Sequence, residues 1–348
     1  MRIVVIGAYG YTGRLIAEDL ARNGYTFAAA GKTKEKLVEL LDVYPAIRKI
    51  EIVDLTVEAD CNQLLANYDF FINCAGPFTE ESARFLRGIA TNHAKTYIDI
   101  TGELGFVRDS HEQYHELAKV NQSSIFHACA FESFLAGLGF QLLKRDMPAP
   151  ISAKTYYQFS RSRPSPGTKM TMKMSNLRTL HFLNEGKWEA ISDANKQPYQ
   201  LEGNTFTAVP YPLPEIAFFS WNDKLQTAAS YLLLAPEEAL FSGQKKEEDI
   251  NLLETLESLK ERKGKGPDAE ERAAQSADLF VELEDENGKQ ARLHLKGNDM
   301  YALTAKCILL LVNKLDAIAE QPFGVVSPAE LFLGKEESAL KNLGVTQL

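Results

Sequence analysis

The sequence predicts an α/β protein whose first part is a doubly wound parallel sheet, and three observations carry that reading. Short, near-continuous apolar runs such as "RIVVIG" and "FFINCA" alternate with stretches of helical period. Helices between strands act as crossovers, which make the sheet parallel, and strands apolar on both sides need helices over each face. Finally, Gly7, Gly10 and Gly13 stand three apart between the first apolar run and the first helical pattern, the arrangement of a Rossmann-type turn.

The elements follow in order. "RIVVIG" is a strand, and "TGRLIAEDLARNG" is a helix with Leu15, Ile16, Leu20 and Ala21 on its apolar face and Gly24 as its stop. "TFAAAG" is a second strand, and "TKEKLVELLDVY" a second helix with Leu37, Leu40 and Leu41 inward. "IEIVDL", "DFFINCAG" and "KTYIDITGE" are the third, fourth and fifth strands, with the helix "ESARFLRGIATNH" before the fifth. "EQYHELAKVNQ" is helical, and "SSIFHACAF" is a sixth strand that places His127 and Cys129 on one face, in the core.

The helix "ESFLAGLGFQLLKR" leads to the proline-marked break "MPAPIS", and a domain boundary is expected between Ala128 and Pro150. Beyond it "AKTYYQFSR" is a strand, "SRPSPGT" a loop, and residues 168–184 a helix in which Met170, Met172 and Met174 fill core gaps. "TFTAVPYPLPEIAFFSWN" reads as extended, with its prolines at edges or loops. Residues 244–275, dense in Lys and Glu, read as a solvated helix and a connector. "DLFVELEDENGKQARLHLKG" is a hairpin turning at Asn287 and Gly288, and a long final helix starts near Asp299.

Bulk properties narrow the function classes. A chain of 348 residues suggests two domains, and 45% hydrophobic with 24% charged residues is ordinary globular composition. A net charge of -9 argues against nucleic acid or anionic membrane as partner, since either needs a concentrated basic face. The most apolar stretch, "CILLLVNKLDAIA", is cut by Lys314 and Asp316, so no membrane span is expected. Cys61, Cys74, Cys129 and Cys307 are scattered, and the chain opens directly on a strand-like run. Reduced thiols and a cytoplasmic location are the expectation. His111 and His115 lack a third ligand, so no metal site is expected; Ser133 lacks the context of a nucleophile elbow.

The glycine turn has a mechanical reading. Gly7 permits the tight turn, Gly10 lets backbone amides approach a pyrophosphate, and Gly13 lets the helix lie close to the strand. With Ala8, Tyr9, Tyr11 and Thr12 these residues form the turn and the helix N-terminus, whose free N–H groups suit phosphates. The end of the second strand selects the cofactor. An NAD site usually carries Asp or Glu there, whereas this chain has Gly31, Lys32 and Thr33 with no carboxylate before Glu35. A lysine and a hydroxyl suit a 2′-phosphate, so NADP(H) is the expected cofactor.

Seven stretches carry a resemblance: "GAYGYTGRLIA", "AGKTKEKL", "INCAGPF", "YIDITGE", "ACAFESFLAGLG", and "YALTAKCILLLV" followed by "FGVVSPAELF". Through them the chain resembles the saccharopine dehydrogenase-like (saccharopine reductase-type) NADP-binding family, nearest its trans-acting enoyl reductase branch. The resemblance covers the first third and the last fifty residues, with little between. It implies an NADP(H)-dependent oxidoreductase with Gly7 to Gly13 on the pyrophosphate and Lys32, usually arginine in the family, on the 2′-phosphate. It also implies Asp54 by the adenine, the turn Cys74, Ala75, Gly76, Pro77 near the nicotinamide ribose, and Thr101, Gly102 and Glu103 at the cleft. Where the family usually has Gly-Phe-Asp, this chain has Ala130, Phe131 and Glu132. The resemblance further implies a Rossmann domain made of residues 1–128 and 299–348, with residues 129–298 inserted as an α+β substrate or dimerisation domain of mixed sheet.

Hydride transfer usually needs a nearby proton donor, and the candidates are Glu103, Glu132 and Tyr156, with Tyr157 beside it. The aromatic, methionine-rich second domain points to an apolar or acyl-type small molecule and an enoyl-reductase-like reaction. An opine-type amino-acid dehydrogenase, acting on a C–N bond, would instead need Arg161, Arg163 and Arg178 as carboxylate clamps. A non-catalytic NADP-binding scaffold or sensor is the third reading. The apolar edge segments of the second domain suit pairing into a homodimer.

Overall fold

In the computed structural model the described residues are 1–78, 80–169, 181–192, 195–221, 225–236 and 266–348. They form two compact units, Met1–Phe134 with Tyr301–Leu343, and Leu135–Met300 with Gly344–Leu348.

The first unit starts with β1 (Ile3–Ile6), α1 (Tyr11–Arg22), β2 (Phe27–Gly31), α2 (Lys34–Val43), β3 (Ile47–Ile52) and α3 (Glu58–Asn67). It continues with β4 (Phe70–Asn73), α4 (Glu80–Thr91), β5 (Thr96–Asp99), α5 (Leu104–Val120) and β6 (Ser124–Phe126). The first residues of α6 (Phe131–Lys144) close this part. The seven-stranded sheet has the order β3-β2-β1-β4-β5-β6-β15, where β15 is Gly324–Val326. Every pairing in it is parallel. Strand order reverses between β1 and β4, and the C-terminal ends flanking that switch point are where such sheets leave a crevice for ligands.

The helices show why the sequence folds this way, with small corrections. On α1 the buried residues are Gly13, Ile16, Ala17 and Leu20, so the seam is rotated from the expected one and Leu15 and Ala21 lie at its margin. The cause is Gly13, whose missing side chain lets that edge of the helix press onto the preceding turn. On α2, Leu37 and Leu40 are buried while Leu41 is exposed. Helix α3 was not anticipated, because its buried set is only Cys61, Leu64 and Leu65. Helix α5 starts at Leu104, well ahead of the expected "EQYHELAKVNQ". Strand β6 ends at Phe126, so His127 and Cys129 follow the strand rather than belong to it; both are buried.

The second unit is built on a mixed sheet of order β10-β11-β12-β7-β13-β14-β16, with β8 on β12 and β9 on β8. Its members are β7 (Ser152–Ser160), β8 (His181–Asn184), β9 (Lys187–Ala190), β10 (Gln197–Leu201), β11 (Asn204–Pro210) and β12 (Thr227–Leu234). Strands β13 (Ser276–Glu284), β14 (Gln290–Asn298) and β16 (Thr346–Gln347) complete it. Only the β12–β7 pairing in this sheet is parallel among the described residues. Gly139 of α6 lies against the sheet, since a Cβ there would stand 3.0 Å from Val281 and 3.2 Å from Leu293.

Two expectations in this unit are corrected. Residues 181–184 are strand rather than helix, and Met170, Met172 and Met174 lie outside the described residues. The segment read as wholly extended contains α7 (Glu215–Trp221), because Pro214 ends the extended run and starts a helix that buries Ile216, Ala217 and Phe219. Most of the charged stretch also lies outside the described residues. Its end carries α8 (Ala269–Ala273), with Asp268 and Glu271 forming a capping box. The hairpin turns where expected, with Gly288 at φ +76°. The last long helix, α9 (Met300–Ala317), from Tyr301 onward, and α10 (Glu336–Leu343) belong to the first unit. No helix among the described residues is long and apolar enough to cross a membrane.

Candidate functional site

The turn after β1 is shaped by space that only glycine leaves. Gly7 has φ +75°, and a Cβ on it would stand 3.0 Å from the backbone of Cys74 and Ala75. The turn after β1 therefore touches the turn after β4. A Cβ on Gly13 would come within 2.3 Å of the Gly7 carbonyl oxygen, and one on Gly10 within 3.0 Å of it. The Gly10 amide donates to the Gly7 carbonyl at 2.8 Å, and Gly10 caps α1 without any side-chain cap. The first turn of the helix thus offers amides to a ligand instead of to its own side chains.

At the end of β2 the Tyr9 ring lies on Gly31, where a Cβ would fall 2.4 Å from a ring carbon. The Tyr9 hydroxyl accepts the Lys32 amide at 3.2 Å, and the Lys36 ammonium stands 5.5 Å above the ring. Lys32 Nζ is 2.9 Å from Asp54 Oδ1. Partial burial pushes the Asp54 carboxyl upward, but hydrogen bonds from Lys32 and from the Thr56 amide and hydroxyl outweigh it and hold it below the usual carboxylate range. The structure thus brings Gly7, Tyr9, Gly10, Gly13, Gly31, Lys32 and Asp54 into one corner.

The ends of β4, β5 and β6 form the other half. Asn73 donates to the Tyr97 hydroxyl at 3.0 Å and accepts the Ala75 amide at 3.0 Å, which fixes the turn Cys74 to Pro77. Burial, then the Asp99 charge, push the Cys74 thiol up to about 12, so it is a neutral thiol. Asp99 is fully buried and accepts from the amides of Thr101 and Ala128. Thr101 Oγ1 donates to Glu103 Oε2 at 2.6 Å, and the Gly102 amide donates to the same oxygen at 3.0 Å. Glu103 is only 7% exposed. Its Oε1 is buried and meets no donor in hydrogen-bonding geometry among the described residues. Burial raises the Glu103 carboxyl above the usual range; the Thr101, Gly102 and Phe78 donors act in the opposite sense, and Asp99 adds to the rise.

Other anticipated residues lie elsewhere. Glu132 is on the first turn of α6, half-buried, and its charge is felt by Cys307 of α9. Tyr156 belongs to β7 in the second unit, buried in a stack with Tyr231 and Tyr199. Arg161 and Arg163 are exposed, the latter ion-paired with Glu271, and Arg178 lies outside the described residues. His111 and His115 have ring centroids 4.5 Å apart, with His115 Nδ1 on the Val325 carbonyl. Sequence reasoning missed Asn73, Asp99, Ser110 and His127. A signal was present in "YIDI", where an aspartate ends a strand that must be covered on both faces.

A parallel sheet of this order, with a glycine cradle at its switch point, defines a dinucleotide-binding Rossmann domain. Residues 3–125 match the family described as Saccharopine dehydrogenase NADP binding domain. Saccharopine dehydrogenase-like oxidoreductase from Rattus norvegicus is 28% identical over 171 residues, covering 44% of this chain and 39% of that protein. Trans-acting enoyl reductase from Mycobacterium bovis (strain BCG / Pasteur 1173P2) is 32% identical over 155 residues, 42% of this chain and 36% of that protein. The chain thus spans under two-fifths of the length of these curated relatives. Among solved structures, apo saccharopine dehydrogenase (L-Glu forming) from Saccharomyces cerevisiae superposes with a TM-score of 0.61. That match covers 100% of this chain and 99% of the other at 13% identity, a likeness of fold.

Proposed function

We propose that this protein is an NADP(H)-dependent oxidoreductase that transfers hydride to an apolar or acyl-type substrate, reducing a carbon–carbon double bond. The observation that carries the reading is Glu103, a buried acid whose Oε1 meets no donor in hydrogen-bonding geometry among the described residues, on the strand ends beside the glycine turn. The connection runs from Gly7 to Ala75, to Asn73, which pairs with Asp99 across β4 and β5, and on to Thr101 and Glu103.

The residues fit the cofactor. A Cβ on Gly7, Gly10 or Gly13 would meet backbone at 3.0, 3.0 or 2.3 Å, so the turn packs tightly, and no side chain caps the first turn of α1. Gly7 to Gly13, with Ala8, Tyr9, Tyr11 and Thr12, would hold the pyrophosphate; Gly31, Lys32 and Thr33 the 2′-phosphate; and Asp54 the adenosine side. Cys74, Ala75, Gly76, Pro77, Thr101 and Gly102 would border the nicotinamide side. NADPH, when bound, supplies the hydride that reaches one alkene carbon. Glu103, whose carboxyl burial raises above the usual range, is the proposed donor of the proton to the other carbon and would regain one from solvent. Glu132, half-buried on the first turn of α6, is the secondary donor in this proposal.

The amino-acid alternative has less support, since Arg161 is exposed and Arg163 is ion-paired with Glu271. The test is NADPH fluorescence titration followed by NADPH oxidation with 2-enoyl thioesters, against parallel assays with keto acid plus amino acid. Micromolar NADPH binding with turnover of the enoyl series only is expected. Turnover with the amino-acid pair alone would overturn the substrate class, and absence of NADPH binding would overturn the whole reading.

A further inference from the structure

Asp99, His127 and Ser110 form a continuous polar chain inside the first unit. His127 Nδ1 is 2.6 Å from Asp99 Oδ2, and His127 Nε2 is 2.8 Å from Ser110 Oγ. The order carboxylate, imidazole, hydroxyl is that of a nucleophilic triad, but Ser110 is 2% exposed and His127 and Asp99 are fully buried. A hydroxyl that substrate cannot reach is no nucleophile, so the chain has another use.

Its remaining bonds show that use. Asp99 Oδ1 accepts the Thr101 amide at 3.1 Å and the Ala128 amide at 2.9 Å, and the Asp99 carbonyl accepts the Cys129 amide at 2.8 Å. One carboxylate therefore closes the turn after β5, which carries Glu103, onto the turn after β6. Ala128 has φ +52°, a backbone state that favours glycine, and the Asp99 bond holds it there. A carboxylate buried this deeply must be paired, and His127 is its partner. Ser110 then fixes the far side of the imidazole and ties the pair to α5. Both turns lie at the C-terminal ends of their strands, the same edge as the glycine turn and the Cys74 turn. The β1–β2 side takes the phosphates and adenosine, which leaves the β4–β5–β6 side for the nicotinamide.

We infer that His127 is a positioning residue for the nicotinamide half of the NADP(H) site, acting through Asp99 on the turns that carry Glu103 and Ala128. This inference rests on the dinucleotide reading given above. The test compares two probes, adenosine 2′,5′-bisphosphate, which fills only the adenosine half, and NADPH, which fills both. Each is titrated against wild type, His127→Gln and Ser110→Ala, with melting temperature followed alongside.

Affinity for the bisphosphate stays within about twofold in both variants, while NADPH affinity falls roughly tenfold in His127→Gln and less in Ser110→Ala. Equal weakening of both probes, or of neither, would overturn the positioning role while leaving the dinucleotide site standing. Where His127→Gln does not fold, Ser110→Ala decides, because it removes one buried oxygen and leaves the Asp99 pair intact. Wild type that binds neither probe overturns the dinucleotide reading and this inference with it.

Discussion

Lys32 Nζ and Asp54 Oδ1 meet at 2.9 Å, joining the end of β2 to the turn after β3. The lysine side chain is 62% exposed, and an ion pair so open to water contributes about 0–1 kcal/mol to stability. Its importance is therefore sought in binding: Asp54 steadies an ammonium at the position where a Rossmann domain reads the 2′ substituent. Lys32→Glu is expected to leave the melting temperature nearly unchanged and lower the preference for NADPH over NADH about tenfold, or roughly 1.4 kcal/mol. Titration with both cofactors measures the ratio. An unchanged ratio would remove Lys32 from the 2′-phosphate.

Gly13→Ala tests the cradle. The added methyl would meet the Gly7 carbonyl oxygen at 2.3 Å, and that oxygen is backbone with little freedom to retreat. Helix α1 must shift away from the turn, at a cost of about 1–3 kcal/mol. NADPH affinity should fall with it, because the turn proposed to hold the pyrophosphate moves. Gly105→Ala is the control, since nothing lies within 4 Å of its added Cβ. Thermal melting that shows Gly13→Ala as harmless as Gly105→Ala would contradict the packing argument.

Much of the first unit was legible because its signals are local. The glycine spacing, the apolar runs of β1, β2 and β4 and the lysine of "AGKTK" are each read without knowing what lies across the sheet. The less legible parts depend on distant partners. Strand β15 is three residues long and exists because Val325 and Val326 pair with Ile125 and Phe126. His127 looked like one more inward strand residue, whereas Asp99, twenty-eight positions earlier, turns the chain at Ala128 and ends β6. No period in the sequence reports such a bond. The second unit suffers most, since α7 interrupts an aromatic run that alternation alone would extend.

Glu103 gives a pH-dependent test. Its carboxyl lies above the usual range because burial penalises the charged form. The sign follows: between the unfolded value near 4.5 and the raised native value, the native state binds more protons than the unfolded state. Stability from this group is present at the acid end and lost as pH rises through the native value. Glu103→Gln cannot ionise, so it should melt higher than wild type at pH 7 and at the same temperature near pH 4. A difference independent of pH would show that the charged form is not penalised in the native state.

His111 works in the opposite direction. Burial, then the charge of His115, lower its imidazole to about 4 from 6.5, with Glu116 opposing and His127 adding to the fall. Below pH 6.5 the unfolded chain takes up a proton that the native ring refuses until about pH 4. Native stability therefore declines as pH falls through that window. The full shift corresponds to roughly 3 kcal/mol at 1.36 kcal/mol per unit, and screening by solvent at a half-exposed ring reduces it to about 1–2 kcal/mol. His111→Gln removes the titration, so its stability should decline less than that of wild type between pH 7 and pH 4.5, by that 1–2 kcal/mol. Denaturant unfolding at a series of pH values measures both slopes, and equal slopes would mean that the ring beside His115 accepts its proton as readily when folded as when unfolded.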